Sequence, residues 1–273
     1  MPELKRPPTI AVLPIECIHP HEEYDPKILM EITNSITTDG VVHDPLLVSA
    51  GSLVILDGTH RYRALANLGC CSVPVALYDY FSSEVGIGCW YRCVEGVPML
   101  KPTSFGSKMT SLKDGLEMVK KREALISVLL GDRALISTGD FDIFKAYRLL
   151  SLLEHDLSSS CKISYASEEE AVGMLESGLV AAVIASPPIK KVEVIKAAEA
   201  AKLFPIKSTR HVINSRPLGL DIPLKWLFRP KEEAAGMLNA RLRSGCFRSL
   251  PSGTSVNGRR YEEEIYIFEM ETF

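Results

Sequence analysis

An apolar run that halts at Asp-Gly and resumes as a helix constrains this chain more than any other feature. Leu53, Val54, Ile55 and Leu56 have the length and β-branched content of a buried strand, and Asp57-Gly58 breaks it at once. Thr59 then suits an N-cap, Tyr62, Leu65 and Leu68 recur at helical spacing, and Gly69 stands where a left-handed C-terminal cap belongs. A strand thus delivers Asp57, a glycine turns the backbone, and His60, Arg61 and Arg63 crowd the positive end of a helix. Basic residues are disfavoured in a first helical turn, so their presence needs a reason. Free backbone N–H groups and the helix dipole hold phosphate at such a place, and two arginines add charge-assisted contacts. A plain strand-turn-helix connection with a solvated basic turn fits the same residues, and on spacing alone the two readings stay open.

The remaining sequence sets bounds. At 273 residues the chain has room for two domains at roughly 100 to 200 residues each. With 46% hydrophobic and 24% charged residues it reads as an ordinary globular protein. A net charge of −3 and a pI near 6.1 argue against binding nucleic acid through bulk electrostatics. Charge and proline interrupt the N-terminal MPELKRPPTIAVLPIE where a signal peptide needs an apolar core, and no run reaches the roughly 18 apolar residues of a membrane span. The expectation is a cytoplasmic protein with no membrane partner. Seven cysteines lack zinc-ligand spacing and are read as reduced thiols. The sequence sets no oligomeric state.

Along the chain, Thr9 to Ile15 reads as a strand, and Asp25-Pro26 opens a helix that Asp39-Gly40 stops. Residues 46–49 and 53–56 form a hairpin, Val73 to Tyr80 a strand, the segment near Ser82 a short helix, and Gly86 to Val94 one strand carrying Trp90. Residues 101–108 are the first linker. Beyond it, helices are expected at Leu112 to Leu130, Phe141 to Leu153 and Ile189 to Ala201. A further helix opens on the Ser167/Glu170 capping box, and strands lie between them. Residues 205–220 read as irregular, and His19, His21 and His43 as loop histidines. The predicted organisation is α/β (α+β): a nucleotide-binding domain over 1–100, an α/β substrate-binding domain over 101–229, and a C-terminal extension over 230–273.

Asp57-Gly58-Thr59-His60-Arg61-Tyr62-Arg63-Ala64 resembles the signature of the ParB/sulfiredoxin-like fold, where such a turn feeds a helix N-terminus that holds nucleotide phosphates. Sulfiredoxins place their catalytic cysteine where this chain has Thr59. ParB partition proteins continue into a helix-turn-helix domain that the pattern after residue 110 does not supply. A third branch, the free L-serine kinases, resembles the chain in five ordered elements: Pro20-His21-Glu22, Asn34-Ser35-Ile36, Asp57 to Arg61, Tyr78 to Ser82 with Trp90-Tyr91, and Ser208-Thr209-Arg210-His211-Val212. Thr59 replaces a family histidine and Ser208 a family threonine, and the segment after Pro230 has no counterpart in the match.

The resemblance implies transfer of the terminal phosphate of ADP or ATP to the hydroxyl of free L-serine or a close analogue, with Mg2+, in a cleft between the two domains. Glu22 is then the general base, and Asp57 orients the substrate or shares in binding Mg2+. Gly58, Thr59, His60 and Arg61 cradle the phosphates, and Val42 lies in the loop that packs near the nucleotide base. Ser35 and Trp90 shape the amino-acid pocket, while Ser208, Thr209, Arg210 and His211 grip a carboxylate or phosphate. A solvated loop carboxylate at Glu22, a bare Asp-Gly turn and a core Trp90 are the plain alternatives. A ParB-like nucleotide-binding regulator or DNA-associated switch without turnover is the rival from another class, and a kinase for another hydroxylated acceptor is a third.

Overall fold

The computed structural model describes residues 8–98 and 107–270. Most of the linker expected at 101–108 lies outside the described residues, and its end opens a strand, Ser107–Ser111. Packing divides the chain into two compact units. One is Met1–Gly86 with Val194–Leu203 and His211–Phe273, and the other is Ile87–Glu193 with Phe204–Arg210.

The first unit begins with β1 (Thr9–Pro14), α1 (Pro26–Asp39), β2 (Val41–Val42), β3 (Leu46–Ser49), β4 (Ile55–Asp57), α2 (Thr59–Asn67) and β5 (Ser72–Tyr78). Its sheet runs β1-β5-β3-β4, with β3 and β5 parallel and the other pairs antiparallel, so β4 is an edge. Local chemistry explains α1 completely. Asp25 caps it by accepting from the Lys27 and Ile28 amides, Pro26 occupies the first turn, and Gly40 ends it at φ 66°. Buried Val48, Ile55, Leu65 and Val75 build one core with Leu227, Ala234, Leu238 and Phe268. The segment after Pro230 therefore supplies core side chains through the helix Lys231–Arg243 and the strand Ile265–Met270. That last strand sits between Arg216–Leu218, parallel to it, and Gly245–Leu250, antiparallel.

The second unit is built on a six-stranded antiparallel sheet in the order Lys162–Ala166, Tyr91–Glu95, Ala182–Ala185, Ser127–Leu130, Arg133–Ser137, Ser107–Ser111. Its helices are Leu112–Lys120, Ile143–Ser158 and Glu168–Glu176, the last opening on the Ser167/Glu170 capping box. The mixed α+β class holds.

Several local expectations change. The predicted Leu112 to Leu130 helix stops at Lys120, and its apolar second half is the strand Ser127–Leu130. Between them Arg122 turns the chain at φ 63°. The strand expected over Gly86 to Val94 is two, Val85–Cys89 and Tyr91–Glu95, broken at Trp90. Turns replace the short helix near Ser82. The irregular stretch at 205–220 holds two strands, Thr209–Ile213, paired with Val85–Cys89, and Arg216–Leu218.

Candidate functional site

In the first unit the predicted residues gather where β4 ends and α2 begins. Gly58 turns the chain at φ 104° and is itself the cap of α2, so Thr59 is the first helical residue and not the N-cap. The geometry demands glycine: a Cβ there would stand 2.8 Å from Leu46 Cδ2. A glycine cap brings no side-chain oxygen to the first-turn amides, which leaves this helix start suited to an incoming anion.

Asp57 sits at the strand's end with about a third of its side chain (34%) exposed. Its Oδ2 accepts from Arg216 Nη1 at 2.5 Å and from Arg61 Nη2 at 3.3 Å. Burial works against ionisation, but Arg216, Arg61 and Arg259 outweigh it and hold this carboxyl well below the usual carboxylate range. Arg61 also donates through Nη1 to the carbonyls of Asp44 and Pro45, both at 2.8 Å, tying the loop before β3 to α2. A pocket beside this network is lined by Asp44, Leu47, Asp57, Arg61, Arg216 and Tyr261, among others.

Two histidines support the end of β4. His21 is 2% exposed, hydrogen-bonds the Ile55 backbone, and is pushed down to about 4 by burial. His211 is pushed down to about 3, chiefly by burial and then by His21, and hydrogen-bonds the Leu56 backbone. Tyr80 lies 2.8 Å from His211 Nε2 through its hydroxyl, and the two imidazoles meet edge to face at 5.5 Å. Both rings are therefore neutral near pH 7. His21 is a buried strut, not the loop histidine expected from sequence. Glu22 follows it directly, part-buried, with Oε1 3.9 Å from His21 Nε2. His60 Nε2 accepts from the Asp25 backbone N–H at 3.0 Å, which joins the starts of α1 and α2.

Two other first-unit residues stand apart. Ser35 is exposed on α1 and donates to Asp39 Oδ2 at 2.9 Å. Val42 is core, and β2 pairs with Ile222–Pro223. The second unit gathers Trp90, Ser208, Thr209 and Arg210. The Lys207 ammonium and the Arg210 guanidinium lie over the Trp90 ring at 5.5 and 5.3 Å. Ser208 is buried, and its hydroxyl donates to the Pro205 carbonyl at 2.7 Å.

Sequence reading missed Arg92, Arg216 and Glu263. Fully buried Arg92 reaches Glu154 at 2.8 Å and the carbonyls of Trp90, Lys207 and Ile206 at 2.8, 3.0 and 3.2 Å, fixing the loop before Ser208. No local signal marks these residues, because each partner but Trp90 is distant in sequence. Among the described residues there is no group of three or more His, Cys, Asp or Glu side chains placed to hold a metal ion. Asp57 commits one oxygen, Oδ2, to two guanidiniums.

No model of a known protein family matches the chain. An ATP-dependent L-serine kinase of Staphylothermus marinus is 26% identical over 233 residues, spanning 78% of this chain and 89% of that protein. The ADP-dependent L-serine kinase SerK of Thermococcus kodakarensis is 26% identical over 234 residues, spanning 78% and 91%. Among solved structures, a free serine kinase in complex with AMP superposes with a TM-score of 0.70 at 23% identity, covering 83% of this chain and 98% of that one. The C-terminally truncated SbnI of Staphylococcus aureus gives 0.70 at 21%, covering 86% and 95%. By sequence the chain is similar to named L-serine kinases over most of its length, and by fold it is similar to the solved free serine kinases.

Proposed function

We propose that the chain is a cytoplasmic kinase that transfers the terminal phosphate of ATP or ADP to the hydroxyl of free L-serine, giving O-phospho-L-serine. The observation that carries this reading is the turn at Gly58, where a strand-end carboxylate, a helix N-terminus without a side-chain cap and Arg61 converge. Named L-serine kinases align with the chain over most of its length.

Phosphoryl transfer asks the protein for positioning, charge neutralisation and a proton acceptor. Glu22 is the acceptor: part-buried and beside a neutral His21, its carboxylate takes the proton of the attacking hydroxyl. The amides of Thr59, His60 and Arg61 hold phosphate oxygens, and Asp57 orients the acceptor. Mg2+ belongs to this reading as a partner of the nucleotide: Asp57 would help to hold it, and it would supply neutralisation of the charge on the moving group. Lys207 and Arg210 over Trp90 give the second unit a cationic, π-backed surface suited to the acidic groups of phosphoserine. Ser35 and Thr209 complete the substrate-binding set of this reading, with Ser208 and His211 holding their neighbours in place.

The test is direct. Purified protein with Mg2+, either nucleotide and a panel of hydroxy amino acids is followed by phosphorus NMR. O-phosphoserine is expected with at least one donor, and Glu22→Ala lowers kcat by about 10²–10⁴-fold. Nucleotide binding without any phospho-amino acid overturns the reading in favour of a nucleotide-binding regulator.

A further inference from the structure

The segment after Pro230 reaches Asp57 through a chain of charges. Arg216 is 4% exposed, and its guanidinium is shared: Nη1 goes to Asp57 Oδ2 at 2.5 Å and Nε to Glu263 Oε1 at 3.0 Å. Glu263 is 9% exposed and stands just before the last strand, whose Ile265 registers with Arg216 in the parallel pair. The Arg216 backbone is fixed as well. The Ser215 amide donates to the Glu264 carbonyl at 3.0 Å, and the Tyr78 hydroxyl to the Ser215 carbonyl at 3.2 Å.

A guanidinium bound to one partly exposed carboxylate can follow that carboxylate as it rotates. One whose other side is bound to a second, buried carboxylate cannot, because moving it would strand a buried charge. The planar fork also fixes the direction in which each carboxylate is approached. We propose that Glu263 and Arg216 form a clamp that positions the Asp57 carboxylate, which makes the C-terminal segment part of the reaction centre and not only of the core. Arg216 and Glu263 are positioning residues, and this role rests on the kinase reading of Asp57.

The experiment compares Glu263→Gln, Arg216→Lys and Arg216→Met with the unaltered chain, using Arg248→Ala as a control. Arg248 forms an exposed pair with Glu269 in the same sheet. Glu263→Gln keeps size and an acceptor while removing the charge. The clamp predicts kcat falling by about 10–100-fold in Glu263→Gln and Arg216→Met, with KM for nucleotide and serine within about threefold. Arg216→Lys, which restores charge without the fork, recovers part of the loss. Crystal structures of Glu263→Gln should show the Asp57 carboxylate turned from its place. Unchanged kcat in Glu263→Gln, or a lowered Tm with kcat intact, overturns the clamp. If Arg216→Met does not fold, Glu263→Gln and Arg216→Lys decide. If the unaltered chain forms no phosphoserine, the kinase reading fails on its own. The crystal structures then decide the clamp, and an unmoved Asp57 in Glu263→Gln overturns it.

Discussion

Arg216 and Arg92 are both sealed from water, yet they hold their surroundings by different means. Arg216 lies between two carboxylates, one of them partly open to solvent, in a network where Arg61 supplies a second cation. Arg92 meets one carboxylate and three backbone carbonyls, so it fastens main chain directly. The first arrangement fixes the direction of a functional group. The second fixes the path of a loop, and leaves the side chains on that loop to face outward over Trp90. An oriented carboxylate and a cationic surface, the two features the proposed function draws on, thus rest on the same residue type through different hydrogen-bond partners.

The comparison can be broken most sharply by removing each arginine. Arg92→Met removes one donor from three carbonyls at once and leaves the part-buried Glu154 carboxylate with the Tyr165 hydroxyl but without its cation, so urea unfolding should show a loss of about 3–5 kcal/mol. Arg216→Met leaves Asp57 where water and Arg61 still reach it but strands the buried Glu263 carboxylate, so its loss should be of similar size, about 3–5 kcal/mol, and adding Glu263→Gln should recover part of it. An Arg216→Met loss that Glu263→Gln leaves unrelieved would erase the distinction.

Acid should weaken the two units unequally. A folded-state histidine held below its unfolded value near 6.5 takes up its proton only on unfolding, so stability is complete above that pH. It declines as pH falls toward about 4 for His21 and about 3 for His211. Each ring contributes a slope of up to about 1.4 kcal/mol per pH unit across that window. Calorimetry from pH 7 to pH 4.5 should show Tm falling, and His21→Asn should flatten the curve. A curve unchanged by that substitution would mean the histidines are not the cause.

The smallest effect belongs to the outward side of the second region. Lys207 is exposed over Trp90, and Lys207→Met should change stability by less than about 1 kcal/mol. A larger loss, measured by the same urea titration, would place Lys207 with Arg92 among the residues that hold the loop.

Features carried by neighbours in sequence were legible. Asp25-Pro26 and Gly40 bound α1, and Ser167 with Glu170 opens its helix, because caps depend on a few adjacent residues. The turn at Asp57 was legible for the same reason, apart from the shift of the cap from Thr59 to Gly58. Apolar Leu125 to Leu130 was misread as helix because a buried strand and a buried helix segment share one pattern, and no glycine marks the turn at Arg122. Arg216 and Glu263 lie 47 residues apart and pair only through the parallel strands that follow, which leaves no local trace. His21 looked like a loop residue because burial on an edge is decided by what packs there, not by its neighbours.

That edge has one more consequence. β4 ends its sheet, and an open strand edge invites pairing with another chain. Here the His19 backbone bonds to Leu53 and Ile55, and the His21 ring occupies the Ile55 backbone, so the rim is already taken. The cover includes a ring that acid drives out of a dry pocket. Prolonged acidification would therefore bare a β-branched edge beside the site, and aggregation, with loss of activity as its by-product, would be the expected fate of this protein at low pH.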